Sequence, residues 1–100
     1  MFARVTIHKV KPGRMEEAKA QVLENTKLAK KGGFLVARYM MLSKTDPNRL
    51  TSVTVINDNA KYEKWAAAAM AKASTKDAPW ASIDGDEYEA FDLMKWAKGK

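Results

Sequence analysis

Apolar and polar positions alternate from Phe2 to Val10, with Ala3, Val5 and Ile7 on one side and Phe2, Arg4, Thr6 and His8 on the other. A period of two is that of a strand. Lys11-Pro12-Gly13 breaks the run, and Met15, Ala18, Val22, Thr26 and Ala29 then recur at helical spacing, with Glu16, Lys19, Lys27 and Lys30 mostly off that stripe. Gly32-Gly33, following Lys30-Lys31, suits a helix end, where a left-handed residue closes the last turn and cations meet the negative end of the dipole. Phe34 to Lys44 and Leu50 to Ile56 read as a second and third strand, joined by Thr45-Asp46-Pro47-Asn48 as the turn of an antiparallel hairpin. Asn57-Asp58-Asn59 offers capping oxygens to a second helix carrying Tyr62, Trp65, Ala66, Ala69, Met70 and Ala73 on one stripe, and its alanines predict close seating on a sheet. Residues Ser74 to Asp86 are expected as a loop anchored by Trp80 and Ile83, Glu87 to Met94 as a last strand, and Lys95 to Lys100 as a mobile basic tail with Trp96 its anchor.

Strand, helix, strand, strand, helix, strand predicts an α+β fold of ferredoxin-like βαββαβ type: a four-stranded antiparallel sheet with two helices on one face. The 100 residues are expected to form a single domain. Strand two is apolar on both sides, with Val36, Met40 and Leu42 on one and Leu35, Ala37, Tyr39 and Met41 on the other. Two such sheets packed face to face would cover the surplus, so a homodimer is expected.

The chemistry is narrower than the fold. The chain has no cysteine, which removes disulfides, thiolate nucleophiles and thiolate-ligated metals. Its formal charge of +6 lies in the first half, where eleven Lys and Arg face four acids, against seven and eight in the second. Isolated lysines on a helix read as solvated charge, and Leu50 to Ile56 lacks the aromatics on which RNA-recognition modules stack bases, so no nucleic-acid partner is expected. No apolar run approaches a membrane span and Met1 to Lys11 alternates, which predicts a soluble, cytoplasmic protein with no membrane partner. Asp84-Gly85-Asp86-Glu87 lacks metal-loop spacing and is expected to be a solvated turn; no metal site is predicted.

His8, the only histidine, is set by alternation beside Thr6 and Arg4 on the face expected to look into the dimer, and is either the best candidate base or a partly exposed polar residue near the end of its strand. Arg4, Arg38 and Ser52 are candidate donors to a developing negative charge. Arg4 and Arg38 either converge on an anionic group or pair with Asp92 or Glu89. Trp65 either walls a pocket for a flat molecule or fills the helix–sheet interface, and Tyr62 is either a donor to a phenolic or quinone oxygen or a core residue.

The element order, the Lys11-Pro12-Gly13 turn, Gly33-Phe34-Leu35 entering strand two and Tyr62-Glu63-Lys64-Trp65 in helix two resemble the antibiotic-biosynthesis-monooxygenase-like group of dimeric α+β barrel proteins. That resemblance implies the paired-sheet barrel and a choice of activities. Haem-degrading members use an Asn, a Trp and a His, at positions filled here by Thr6, Trp65 and Thr75. Cofactor-free anthrone oxygenases use an Asn, a Trp and a Tyr, at positions filled by Ser52, Ile56 and Tyr62. One residue of each set is kept. The expectation is a cofactor-independent monooxygenase of a small apolar, aromatic or quinone-like ligand. Catalysis would rest on His8, Arg4 and Tyr62, binding on Thr6, Arg38, Ser52 and Trp65, with no cofactor. A non-catalytic binding protein and a haem-binding enzyme are the alternatives.

Overall fold

The computed structural model describes residues 1–98. Strand β1 (Phe2–Val10) is followed by helix α1 (Met15–Gly32), strands β2 (Leu35–Leu42) and β3 (Arg49–Ile56), helix α2 (Asn59–Ala73), strand β4 (Trp80–Glu89) and a short helix α3 (Leu93–Lys98). The strands form one antiparallel sheet in the order β2-β3-β1-β4. The expected βαββαβ order and four-stranded antiparallel sheet are therefore present.

Local chemistry sets the boundaries. Gly33 adopts φ 76 at the end of α1, a left-handed conformation that a Cβ would strain. The β2–β3 turn is closed by its side chains: Ser43 Oγ accepts from the amides of Thr45 and Asp46, and Asp46 Oδ1 accepts from the Asn48 amide at 2.9 Å. Asp58 caps α2 by accepting from the Lys61 amide at 3.2 Å.

Phe2, Arg4, Thr6, His8 and Val10 of β1 share their face with Leu50, Ser52, Thr54 and Ile56 of β3, and this is the face that the helices cover. Two apolar clusters pin the helices to it. Val10, Ala18, Val22, Leu50, Ala78 and Trp80 pack at one end, and Ala29, Phe34, Ile56 and Tyr62 at the other.

Several expectations are corrected. Arg4, Thr6 and His8 lie under the helices, so the open face of the sheet carries the opposite set, including Ala3, Val5, Ile7, Val53 and Val55. Val36 is an extra residue in a bulge, since Leu35 pairs with Ile56 and Ala37 with Val55; this moves Leu35 to the helix side, away from Ala37. The last strand starts at Trp80, earlier than expected, and contains Asp84-Gly85-Asp86-Glu87, which is not a turn. Residues 93–98, expected as strand end and tail, form α3, where Trp96 stacks on Phe91 at 5.0 Å between ring centres; residues 99 and 100 lie outside the described residues. No helix among the described residues is long and apolar enough to cross a membrane.

Candidate functional site

The antiparallel register lays the helix-covered face out in rows that cross the sheet. One row holds Arg38, Thr54, Arg4 and Glu87; the next holds Met40, Ser52, Thr6 and Gly85; the third holds Leu42, Leu50, His8 and Ile83. The middle row is small at Ser52, Thr6 and Gly85. Above it, α2 presents Ala66, Ala69 and Ala73, so neither layer fills the space between them. The result is a cavity of about 370 Å³, within the roughly 300–1,000 Å³ range of small-molecule sites. Here the alanines of α2 do the opposite of what was expected: they leave room instead of seating the helix on the sheet.

His8 stands at one end of this floor. Its ring lies 4.5 Å from that of Trp80, whose indole N–H donates to the Gln21 side chain. Nδ1 is 3.3 Å from the Leu50 carbonyl, an acceptor, so Nδ1 carries the proton and Nε2 keeps its lone pair. Burial holds the imidazole below its ordinary pKa, against the carbonyl contact and with the help of the Arg38 charge, which makes it neutral at physiological pH.

Tyr62 stands at the other end, edge-on to Phe2 and Phe34 at 6.4 and 5.7 Å and 5.8 Å from Trp65. Burial raises its pKa, so the phenol stays a proton donor. His8 and Phe2 are six residues apart on β1, about 20 Å along an extended strand, so His8 and Tyr62 border one cavity without meeting at one atom.

Between them lie the two arginines. Arg4 lies over Gly85, where a Cβ would come within 2.5 Å of Nη2, and pairs with Glu87 at 3.7 Å. Its partner is thus neither Asp92 nor Glu89. Arg38 sits on the face of Trp65, 4.9 Å from the ring centre, and donates from Nη1 to Thr54 Oγ1 at 3.0 Å. Trp65 borders the cavity and packs against the Phe34 and Ile56 cluster, and its Nε1 donates to the Asn25 carbonyl of α1 at 2.9 Å. All seven predicted site residues, His8, Arg4, Tyr62, Thr6, Arg38, Ser52 and Trp65, line this one cavity. Sequence reasoning missed Thr54, 3% exposed and bonded to Arg38, and also Glu87, Gly85 and Asn25. Thr54 was within reach, since it lies two residues from Ser52 on the same strand face. Among the described residues no cluster of three or more His, Cys, Asp or Glu could hold a metal ion.

No protein-family model matches the chain, and no curated protein matches it. Solved structures do. SnoaB, a cofactor-independent oxygenase from Streptomyces nogalater studied as a point mutant, superposes with a TM-score of 0.76 at 12% identity over 91% of this chain and 93% of that one. An antibiotic biosynthesis monooxygenase gives 0.69 at 12% identity over 92% and 100%. A mutant of MhuD with two manganese protoporphyrin IX molecules bound per active site gives 0.68 at 13% identity over 90% and 94%. At these identities the likeness is one of fold.

Proposed function

We propose that this chain, which has the fold of the antibiotic biosynthesis monooxygenases, binds a small aromatic or quinone-like molecule in its cavity and oxygenates it with molecular oxygen and no cofactor. The observation that carries this reading is the neutral imidazole of His8, its Nε2 lone pair free, on the floor of a cavity walled by Trp65, Tyr62 and Trp80. Nε2 would take a proton from an activated CH2 group of the substrate. The carbanion passes one electron to oxygen, the two radicals join through a new C–O bond, the peroxide anion takes the proton back from Nε2, and the hydroperoxide loses water to leave a carbonyl. In sum, a CH2 group and O2 become a C=O group and water. Ser52, Thr6 and Thr54 offer hydroxyls to the charge that develops on substrate oxygen, and Tyr62 a phenol at the far end.

Two copies would pair through their open sheet faces, where Ile7, Tyr39, Met41 and Tyr88 are all exposed. The cytoplasm remains the expected compartment.

With anthrone as the probe, oxygen uptake above the spontaneous rate is expected, and His8→Gln should lower it by about a hundredfold or more. Equal uptake by the variant would remove His8 from the chemistry. A second reading, a binding protein without catalysis, is favoured by the internal commitments of Arg4 to Glu87 and of the Trp65 N–H to Asn25. It is the outcome if anthraquinone binds but anthrone is not consumed.

Haem does not fit these residues. Its iron needs an axial protein ligand, and Thr75, which takes the histidine's position in the resemblance, donates its hydroxyl to the Lys72 carbonyl at 3.0 Å. The single imidazole stands on β1, and not after α2 where the resemblance puts the axial ligand. No step through haem follows from this chain.

A further inference from the structure

Two guanidinium groups border the cavity, and they differ in one respect. Arg4 has Glu87 for a counter-charge. Arg38 has none among the described residues: its one polar contact is the uncharged hydroxyl of Thr54, and its Nε–H is buried without any partner. A charge held in a low-dielectric setting with an unmade hydrogen bond is costly to the fold, and such groups ordinarily have partners.

The unused part of the group has a definite shape. Nη1 donates one hydrogen to Thr54, and among the hydrogens left unspent are Nε–H and an Nη2–H, which point the same way and form one edge. That edge is the one a carboxylate takes side-on, with an oxygen on each N–H. Trp65 backs the guanidinium plane, and its own N–H is spent on Asn25, so the indole supports Arg38 without competing for the same acceptor. Arg38 also borders a separate crevice between α1 and β2 that is lined by Lys30.

Resting on the reading of the cavity as a site for a small aromatic molecule, we propose that its ligand is an aromatic carboxylate whose acid group is received by Arg38. The carboxylate lies in the row of Arg38 and Thr54, and the ring system extends over Ser52 and Thr6 toward His8. The rows of Arg4 and His8 are four residues apart on β1, about 13 Å along the strand. A ligand spanning them has several rings, its acid at one end and its reactive carbon at the other. Seating the acid on Nε requires the guanidinium to slide along the Trp65 face, because that atom is closed to solvent in the free protein.

The test is calorimetric titration with anthraquinone-2-carboxylate and its methyl ester, which share a ring system and differ in charge. The wild-type chain is expected to bind the acid at least about tenfold more tightly than the ester, the scale of a hydrogen bond to a charged group. Arg38→Met, which removes an unpaired charge and should fold at least as well, is expected to bind both equally. Arg38→Lys keeps the charge but not the fork and should keep only part of the preference. Equal binding of acid and ester by the wild type, or a preference that survives in Arg38→Met, overturns the proposal. If neither compound binds, the aromatic-ligand reading of the cavity has failed, and this inference falls with it.

Discussion

His8 owes its properties to position more than to residue type. The Leu50 carbonyl selects its tautomer, Trp80 covers one side of the ring, and burial lowers its affinity for a proton. Because the folded-state pKa is depressed from the ordinary 6.5, the contribution to stability is complete above that value. It is lost as pH falls from 6.5 toward the folded-state value, since the unfolded chain takes up the proton first. Melting temperatures measured between about pH 7 and pH 5 should therefore fall for the wild type more steeply than for His8→Gln. Parallel curves would mean that His8 is not held neutral. Strand alternation grouped Arg4, Thr6 and His8 on one face from the sequence alone. The expectation that this face looks into the dimer failed because both faces of β1 mix apolar and polar side chains, so alternation does not decide which layer covers which. Nor could it foresee that Arg4 would find Glu87 and that Arg38 would find no acid among the described residues, since pairing across strands depends on a register that periodicity does not give.

Among the elements, α1 and α2 are joined by one polar contact as well as by packing. Trp65→Phe keeps the ring and removes the N–H that reaches the Asn25 carbonyl. The expected cost is about 1 kcal/mol in chemical denaturation, with binding of flat ligands retained because the ring face persists. A loss of binding with no loss of stability would instead assign the indole N–H to the ligand. The elements read most correctly from sequence were those with a strong stop or period: β1, α1 with its Gly33 terminus, and the Asp46-Pro47 turn. The first part of β4, residues 80–86, escaped because Asp84, Gly85 and Asp86 are poor strand formers, and pairing with β1 holds them extended. The Val36 bulge escaped for a related reason: in a strand apolar on both sides, inserting one residue leaves no break in the pattern.

On the scale of the whole molecule, one face of the sheet is covered and the other is bare. Val53 stands on the bare face, beside Val5 and Tyr39 in register. Val53→Glu should leave the helix-covered core intact while placing a charge where two sheets would meet. Light scattering is expected to give a dimer mass for the wild type and half of it for the variant, with unchanged circular dichroism. A wild-type monomer would reject the paired-sheet arrangement.

The alanine row of α2 carries a different kind of consequence. Ala66, Ala69 and Ala73 set the height of the cavity above the middle row of the sheet, yet none of them belongs to the two clusters' fully buried residues. Ala66 and Ala73 also pack against the edges of the two clusters, so among the three it is Ala69 that sets capacity apart from the framework. The size of molecule admitted can be altered one methyl group at a time along a single helix, without disturbing the strands that hold the reactive groups. A fold arranged in this way resembles a mould with a fixed base and an adjustable upper half, and the size of the guest is a property of the upper half.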